Sequence, residues 1–542
     1  MTTCTQRTTH EQSASVQPIG SDIVSLHEVA VHLHPEDNVA IARLDLVVGL
    51  TLEATLPGED ARRIVVSQPI PGGHKVALKA IVRGAAVRRY GQIIGFATED
   101  IEPGVHVHQH NLDAQDFSRD YAYGADVRPV QIVPESERRT FLGYRRPNGQ
   151  VGTRNIVAVI SSVNCSAHVA REIGRRFTPE RLAAFPNVDG VISVTHPYGC
   201  SVRIGGADYD ILQRTLAGMA LHPNVGAYIL VGLGCEVNQI PAMVENYDLC
   251  GFNGMLPGDA PQIVIQELGG TRKAIAAGIE AVEALLPQVN AAERTPAPVS
   301  ELVIALQCGG SDGWSGITSN PAIGLVADEI VRQGGTVVLS ETTEVYGAEH
   351  LLTRRAIRPK VGQKLVEQIR WWEEHARQMG MEIDNNPTPG NKVGGLTTIY
   401  EKSLGAIAKA GSTPLMDVYD YAERVTARGF TFMDGPGNDW TAVTGQVAGG
   451  STLVIFSTGR GSVFGFTPAP VIKVASNSAL YERMKDDMDL NAGRVQGGEA
   501  LAAVANDLLE LTIAVASGQP SKSEAQGIGE AEFSPWHLGG VL

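Results

Sequence analysis

The stretch "AYILVGLGCEVNQ", residues 227–239, runs apolar through Leu233 and then breaks at Gly234, Cys235 and Glu236. A short apolar run closed by glycine is typical of a buried strand that ends in a tight turn. The same texture recurs from residue 143 onward, where apolar runs, glycine-rich turns and amphipathic helices alternate. Strands are predicted at 156–163, 190–196, 227–233, 302–307, 336–341, 453–458 and 471–476. This alternation predicts parallel sheets with helices on both faces.

The rest of the chain divides by composition. Residues 23–112 contain short β-rich runs separated by turns such as "PGED" and "PGGHK", which predict a small all-β domain. Residues 1–22 are polar and predict a disordered arm. Residues 113–142 show neither the hydrophobic period of a helix nor that of a strand, and they predict a linker. The Pro/Ala-rich joint at 290–300 separates two α/β regions, 143–290 and 291–542.

Charge and length exclude several classes of protein. The 542 residues carry a formal charge of -15, which argues against nucleic-acid and anionic-membrane surfaces, although a local cationic or metal-containing pocket can still bind an anionic small molecule. No apolar run approaches the ~20 residues of a membrane helix, and the N-terminus lacks the apolar segment of a signal peptide. The six cysteines are too few and scattered for a disulfide framework, so we expect a cytoplasmic protein.

Cysteines mark the ends of predicted strands. Four of the six directly follow such strands: Cys165, Cys200, Cys235 and Cys308. The first three are spaced 35 residues apart, about the length of one βα unit. Strand ends of a parallel sheet share one edge, where open α/β sheets bind ligands. A single cysteine is explained by packing, but four together with His196, Glu236 and Asp312 predict a metal or catalytic site.

Glycine-rich loops extend this predicted edge. The loop "CGGSDGWSGITSNP" offers backbone N–H groups, Ser311 and Asp312 before a helix, which suits an anion beside a cation. Further loops carry Glu341 and Glu344, Asn391 and Lys392, and Arg460 between Gly459 and Gly461. A guanidinium in such a loop suits a carboxylate. No loop has the glycine spacing of a dinucleotide or nucleoside triphosphate site, so those ligands are disfavoured.

Histidines alternate at the end of the β-domain. In "GVHVHQHN", His106, His108 and His110 share one face of a strand, and three such side chains can bind a metal. Because no carboxylate or cysteine stands nearby in the sequence, a polar strand edge is the preferred interpretation.

The chain resembles the altronate and galactarate dehydratases along nearly its whole length. The motifs that carry the resemblance are "VHLHPEDNVAIA", "IPGGHKVAL", "GYRRPNGQVGTRN", "FPNVDGV", "HPYGC", "VGLGCE", "CGGSDGWSGITSNP", "NPTPGNKVGG" and "FSTGRG". The resemblance implies an N-terminal SAF or β-clip domain, a linker, a second domain for dimerisation and part of the site, and a C-terminal Rossmann-like domain with a metal site. It also implies an iron-dependent, oxygen-sensitive hydro-lyase that acts on sugar acids.

The implied reaction removes water from a 2,3-dihydroxy acid and gives a 2-keto-3-deoxy acid. Fe(II), or alternatively Mn²⁺ or another divalent ion, would act as a Lewis acid. We expect the metal among Cys200, Cys235, Glu236, Cys308, Asp312 and Glu341. An iron–sulfur cluster on three of Cys165, Cys200, Cys235 and Cys308 is the alternative cofactor.

The remaining candidate residues serve catalysis and substrate binding. His196 is the first candidate for the general base and Lys392 the second. Substrate contacts are expected from Asn164, Ser311, Asn391, His74 and the loop Gly459, Arg460 and Gly461. His74 would cap the pocket of its own or of a partner subunit. The competing hypotheses are a sulfo-lyase that releases sulfite from a sulfonated hydroxy acid and a non-catalytic sugar-acid or metal-binding protein.

Overall fold

The computed structural model describes residues 23–56, 58, 60–249 and 260–538, which form two compact units divided after Leu112. The arm predicted at residues 1–22 lies outside the described residues. No helix in the described ranges is long and apolar enough to cross a membrane.

The first unit is built from short strands, as its alternating sequence predicts. Its strands are β1 (Ile23–Ser25), β2 (Ala30–Val31), β3 (Val39–Ala42), β4 (Thr51–Ala54), β5 (Arg62–Val65), β6 (Lys75–Ala77), β7 (Ala86–Arg89), β8 (Gln92–Ala97), β9 (His106–Val107) and β10 (Leu112–Asp113), with one short helix, α1 (Leu26–Val29). They form three small sheets, ordered β1-β4-β5, β2-β3-β6-β9 and β10-β8-β7. Side chains such as Leu52, Ile64 and Val76 fill the core. The all-β prediction is confirmed.

The second unit begins with the segment predicted as a linker, and much of that segment is packed. Arg119 lies 3.3 Å from the Glu349 carboxylate, Thr353 donates a hydrogen bond to the Tyr121 carbonyl, and Arg354 pairs with Asp126. Strand β11 (Thr140–Arg145) begins at Thr140, three residues before the position at which the sequence texture changes.

A three-stranded antiparallel sheet joins the two α/β regions. It has the order β12-β11-β17, with β12 (Val151–Gly152) and β17 (Arg294–Pro298) on either side of β11. The Pro/Ala-rich joint therefore forms a strand instead of a loop. Its prolines are tolerated because β17 is an edge strand, whose outer N–H groups need no partner in the sheet.

The first α/β region contains a parallel sheet of order β14-β13-β15-β16. Its strands are β13 (Ile156–Ser161), β14 (Gly190–Val194), β15 (Val225–Gly232) and β16 (Gln262–Val264), and its helices are α2 (Asn164–Gly174), α3 (Pro179–Leu182), α4 (Ala207–Ala220), α5 (Ile240–Tyr247) and α6 (Thr271–Asn290). Helices α2 and α6 cover one face and α4 contacts the other. This layering explains the unbroken burial of β13 and β15.

The second α/β region contains a seven-stranded parallel sheet of order β20-β21-β19-β18-β22-β23-β24. Its strands are β18 (Val303–Cys308), β19 (Thr336–Leu339), β20 (Leu415–Tyr419), β21 (Gly429–Met433), β22 (Leu453–Thr458), β23 (Val471–Ala475) and β24 (Leu490–Asn491). Its helices are α7 (Ser319–Arg332), α8 (His350–Thr353), α9 (Pro359–Gln378), α10 (Pro389–Val393), α11 (Ile399–Ile407), α12 (Asp439–Ala448), α13 (Ser478–Arg483), α14 (Leu501–Ala516) and α15 (Lys522–Ala525). The order reverses beside β18, and the Rossmann-like prediction is confirmed.

The two parallel sheets share a hydrophobic core. Ile160 and Leu230 of the first sheet, Val443 of α12 and Phe456 of the second sheet belong to one buried cluster. Helices α4 and α12 pack against each other between the sheets. The shared core holds the start of α12 in a fixed position beside the first α/β region.

Candidate active site at the edge of the seven-stranded sheet

Three acidic side chains meet at the carboxyl edge of the seven-stranded sheet. Cys308 ends β18, and Glu341 and Glu344 follow β19. One ligand atom from each of the three lies within 4.8 Å of the others, and all three residues are buried. Glu341 adopts a φ of 71°, a backbone conformation that costs free energy in a residue with a side chain and is concentrated at functional sites. We call Cys308, Glu341 and Glu344 the acidic cluster.

Two buried lysines neutralise part of this cluster. Lys402 of α11 places its Nζ 2.5 Å from Glu344 Oε1, and Lys409, seven residues further, places its Nζ 2.7 Å from Cys308 Sγ. Seven residues span about two helical turns, so both ammonium groups reach the same side. Burial opposes the charge on each lysine, but the acidic cluster outweighs burial and raises the pKa of both.

The pKa values of the two carboxyl groups in the cluster shift in opposite directions. Burial raises the pKa of Glu341 well above its usual range, and Glu344 and Cys308 raise it further. Burial also opposes ionisation of Glu344, but Lys402, Lys409 and Asn386 outweigh it and lower its pKa. Carboxylates whose environments separate their pKa values are typical of acid–base sites.

A third carboxylate, Asp439, interacts with Glu344 of the acidic cluster and stands between two residues that line a cavity. Its Oδ2 lies so close to Gly309 that a Cβ on this glycine would stand 2.2 Å away. Burial, followed by the charge of Glu344, raises the pKa of Asp439 to about 7. Its chain neighbours Asn438 and Trp440 line a cavity of about 490 Å³.

The same cavity receives groups from the first α/β region. Asn164, Arg171 and His196 line it. Burial lowers the pKa of His196 to about 4, so its imidazole is neutral near pH 7. Its Nδ1 accepts a hydrogen bond from the Tyr198 N–H, its Nε2 is buried, and hydrogen bonding to the backbone of Ser162 and Ser161 opposes the downward shift of its pKa. Because its ring is neutral and lines the cavity, His196 is suited to accept a proton.

Two of the predicted metal ligands have other partners. Glu236 accepts hydrogen bonds from the Ser162 hydroxyl at 2.6 Å and from the backbone N–H groups of Leu233 and Gly234. A Cβ at Gly232 would approach Glu236 Oε1 to 2.7 Å, so this glycine gives the carboxylate its space. The Glu236 carboxylate therefore stabilises the turn that follows β15 by accepting hydrogen bonds from the backbone of that turn.

Asp312 is likewise surrounded by donors. It accepts hydrogen bonds from the hydroxyl groups of Ser315 and Ser476 and from the Asn477 amide, and burial raises its pKa. A Cβ at Gly459 would stand 2.2 Å from the Asp312 carboxyl carbon. Gly459 thus allows the loop after β22 to close over Asp312.

Three of the four strand-end thiols lie on the other parallel sheet. Cys165 is in the first turn of α2, and Cys200 and Cys235 follow β14 and β15; all three are exposed. The Cys200 carbonyl accepts a hydrogen bond from the Val237 N–H, so these two loops touch. Gln266 donates a hydrogen bond to Cys235 Sγ. Cys308 is buried at the end of a strand of the seven-stranded sheet. It is therefore separate from the three cysteines that the 35-residue spacing groups together.

Further predicted residues lie in loops of the second α/β region. Asn391 accepts a hydrogen bond from the N–H of Thr388, the N-cap of α10, and its amide donates to the Ser311 carbonyl. Ser311 Oγ is buried without a partner in the described part of the chain. Lys392 is half-buried. The backbone N–H of Arg460 donates to the Gly310 carbonyl, and its side chain is exposed.

The remaining predicted residues are Gly461 and His74. Gly461 adopts a φ of 108°, which favours glycine, and its N–H donates to Thr458 Oγ1. His74 lies in the first unit, where its ring contacts His106 and His108.

The acidic cluster fits a divalent cation by charge and by donor type. Burial opposes ionisation of Glu341 and of the neighbouring Asp439, and a bound cation would favour the ionised form of both. Glu341 Oε1 is buried without a hydrogen-bond partner among the described residues, and a thiol with carboxylates suits a borderline ion such as Fe(II).

Three family models match successive parts of the chain and together cover most of it. Residues 28–115 match the "Altronate/galactarate dehydratase SAF domain", residues 143–290 the "D-galactarate dehydratase/Altronate hydrolase, second domain", and residues 299–541 "D-galactarate/Altronate dehydratase, C-terminal". The chain belongs to the altronate/galactarate dehydratase family.

Individual relatives agree with this membership. An altronate dehydratase of Escherichia coli (strain K12) is 36% identical over 91% of this chain and 96% of its own length. The galactarate dehydratase (L-threo-forming) of the same organism is 36% identical over 90% and 93%. The (2R)-sulfolactate sulfo-lyase subunit beta of Chromohalobacter salexigens is 34% identical over 74% of this chain and 97% of its own length. This family member is an enzyme, a hydro-lyase of the altronate/galactarate dehydratase type.

Several residues of the site are missing from the set predicted by sequence. They are Lys402, Lys409, Asp439 and Arg171. The sequence places Glu344 in a loop of the predicted edge but does not assign it as a metal ligand. The two lysines carried a signal, since they stand seven residues apart in the apolar segment "IYEKSLGAIAKA", in which α11 is followed directly by a 3-10 turn that contains Lys409. Asp439 follows β21, a strand that the apolar pattern of the sequence does not predict. Its position at the sheet edge was therefore not apparent.

Proposed function

We propose that this enzyme is a metal-dependent dehydratase that converts an aldonate or aldarate, such as altronate or galactarate, to a 2-keto-3-deoxy acid. The observation that carries the proposal is the acidic cluster of Cys308, Glu341 and Glu344, placed beside two buried lysines at the carboxyl edge of the sheet. The names of the relatives supply the class of substrate.

Cys308, Glu341 and Glu344 would hold the ion, which we propose to be Fe(II). When bound, it would supply a Lewis acid for the carboxylate or the departing hydroxyl of the substrate. Lys402 and Lys409 would balance the remaining negative charge of the cluster and keep Glu344 ionised. A bound ion would also provide a partner for Glu341 Oε1, which is buried without a hydrogen bond among the described residues.

The proton transfers would use groups beside the cavity. His196 would remove the proton on the carbon next to the substrate carboxylate, since its ring is neutral and lines the cavity. Asp439, with a pKa of about 7, would protonate the hydroxyl that leaves the adjacent carbon. The resulting enol would become the 2-keto-3-deoxy acid. Lys392 remains the second candidate for the base.

Cations near the cavity and in the loop after β22 would hold the anionic substrate. Arg171 lines the cavity and donates hydrogen bonds to Thr195 Oγ1. The exposed Arg460 side chain extends from a loop whose glycines keep it close to Asp312. A planar guanidinium binds a carboxylate through two parallel hydrogen bonds. Asn164, Ser311 and Asn391 are proposed to contact the substrate hydroxyls.

A panel assay tests the proposal. The protein is loaded with Fe(II) under anaerobic conditions, given a series of aldonates and aldarates, and assayed for 2-keto-3-deoxy acids. We expect product from at least one of them and none after chelation of the metal. Product formation that survives chelation would exclude the metal, and no product from any sugar acid would exclude the substrate class.

The sulfo-lyase is the second candidate because one relative carries that name over 74% of this chain. The relatives of that name match as separate subunits alpha and beta, whereas both matching regions lie on one chain here. This fusion favours the dehydratase. Release of sulfite from sulfolactate, without dehydration of any sugar acid, would reverse the choice.

We also propose that the enzyme is a cytoplasmic homodimer. The dimer rests on the resemblance to the family, and the compartment rests on the free state of the four described cysteines. Analytical ultracentrifugation would detect the dimer, and a monomer at micromolar concentration would contradict it.

A further inference from the structure

Three histidines of the N-terminal domain converge on one point. One ring nitrogen each of His74, His106 and His108 lies within 4.8 Å of the other two, and His74 Nδ1 is 3.0 Å from His106 Nε2. We propose that this histidine triad is a second metal site, which binds a divalent first-row transition ion independently of the acidic cluster. It would take ions that suit imidazole ligands, such as Zn²⁺, Fe²⁺ or Co²⁺.

Strand register brings the triad together. Strands β6 and β9 are antiparallel, with Lys75 opposite Val107 and Val76 opposite His106. Continuing this register by one pair places His74 opposite His108. Since side chains alternate along a strand, His106 and His108 share a face, and the cross-strand partner His74 joins them there. His74 thus completes a site that the linear pattern assigns to His110.

Hydrogen bonds fix the backbone that carries two of the rings. The Asn111 amide donates to the His106 carbonyl, and Asn111 Oδ1 accepts from the His108 N–H. The Asn111 N–H in turn donates to the His108 carbonyl and closes a tight turn. Asn111 is buried, so this turn is held inside the domain. Supporting contacts of this kind orient metal ligands in proteins.

The environment keeps the imidazoles ready for a metal. Burial, together with His74 and His108, lowers the pKa of His106 to about 3, so its ring is neutral near pH 7 and can share a lone pair. His106 and His108 are only partly buried. Three protein ligands with an open side leave a position for water or another ligand. His110 lies near His106, with ring centroids 5.6 Å apart, but is outside the triad.

Cobalt provides a probe that reports ligand type. The full-length protein is freed of metal with a chelator and titrated with Co²⁺ under anaerobic conditions, while bound cobalt is counted and its visible absorption recorded. We expect two equivalents in the wild-type protein. The double variant His106→Gln/His108→Gln should lose one of them, with at least a tenfold loss of affinity at that site.

The matched variants separate this site from the acidic cluster. His110→Gln should keep both equivalents, and Cys308→Ser should lose the thiolate–cobalt band but keep the triad. Retention of that thiolate band in the double variant shows that it is folded. Unchanged cobalt binding in the double variant would overturn the triad. If the wild-type protein binds one equivalent and only Cys308→Ser loses it, the triad is also overturned. If the wild-type protein binds one equivalent and only the double variant loses it, the result supports the triad and contradicts the metal site proposed at Cys308.

Discussion

Lys402 and Glu344 form an ion pair of 2.5 Å inside the protein, and both side chains are less than 10% exposed. Asn386 bonds to both partners, as a donor to Glu344 and an acceptor from Lys402. A buried pair of this kind gains little over an apolar core, but each partner depends on the other. Its position beside Cys308 indicates that it serves the chemistry of the site more than the stability of the fold.

Removal of one partner should therefore destabilise the protein. Lys402→Met leaves Glu344 buried without its nearest cation, and we expect a loss of about 3–5 kcal/mol in the free energy of unfolding. Lys360→Met is the matched control, because Lys360 is exposed and should change the same quantity by less than about 0.5 kcal/mol. Denaturant unfolding of metal-free protein measures both.

A double variant distinguishes lost charge from lost packing. Lys402→Met/Glu344→Gln removes the uncompensated carboxylate, so it should be more stable than Lys402→Met alone. A double variant that is less stable than either single variant would show that packing, not charge, causes the loss.

The raised pKa of Asp439 predicts a pH-dependent stability. The unfolded aspartate loses its proton near its usual pKa of 3.8, whereas the folded one keeps it until about pH 7. The folded state therefore binds more protons between these values, and this group makes stability fall as pH rises from about 4 to 7. Asp439→Asn should remove that fall. The free energy of unfolding of the metal-free variant should therefore differ from that of the metal-free wild type more at pH 8 than at pH 4.

Thermal unfolding at the two pH values provides the measurement. The substitution should raise the unfolding midpoint at pH 8 relative to the wild type, while its effect at pH 4 reflects only the change of side chain. An equal shift at both values would contradict the elevated pKa.

Loss of His196 should affect turnover without affecting metal binding. His196→Gln removes the proposed proton acceptor, and general-base catalysis typically contributes about 10²- to 10⁴-fold to a rate. We expect kcat to fall in that range while bound iron stays unchanged. His168→Gln is the control, because His168 is exposed on α2 and does not line the cavity. A fall in bound iron equal to the fall in kcat would assign His196 to the metal site.

Local sequence pattern predicted the fold well because its signals are local. Apolar runs and glycine turns located β13, β14, β15, β18 and β22 to within a few residues. Strands β20 and β21 were not predicted, because polar residues interrupt their short apolar runs "LMDVY" and "GFTFM". Cys200 and Cys235 follow β14 and β15, the two strands that flank β13, and their loops meet through the hydrogen bond from the Val237 N–H to the Cys200 carbonyl.

The grouping within the site could not be read from the same pattern. Two parallel sheets have carboxyl edges with similar glycine turns, and the sequence does not tell which thiol belongs to which sheet. The partners of Glu236 and Asp312 also come from distant segments, with Ser162 on one and Ser476 on the other. Only tertiary packing shows that these carboxylates are already hydrogen-bonded.

The exposed thiols keep the cluster alternative testable. Cys165, Cys200 and Cys235 could supply an iron–sulfur cluster, which requires acid-labile sulfide. An anaerobic iron and sulfide count on the full-length protein should find iron without sulfide. Several irons with sulfide, lost in Cys200→Ser, would replace the mononuclear metal in this account.

The most direct test compares two thiols on Fe(II)-dependent dehydration. Cys308→Ser and Cys235→Ser are loaded with Fe(II) under identical anaerobic conditions, then assayed for bound iron and for the rate of 2-keto-3-deoxy acid formation. The acidic cluster predicts that Cys308→Ser loses one equivalent of iron and its activity, while Cys235→Ser keeps that iron and remains active. An active Cys308→Ser enzyme with full iron, beside an inactive Cys235→Ser enzyme, would contradict the account.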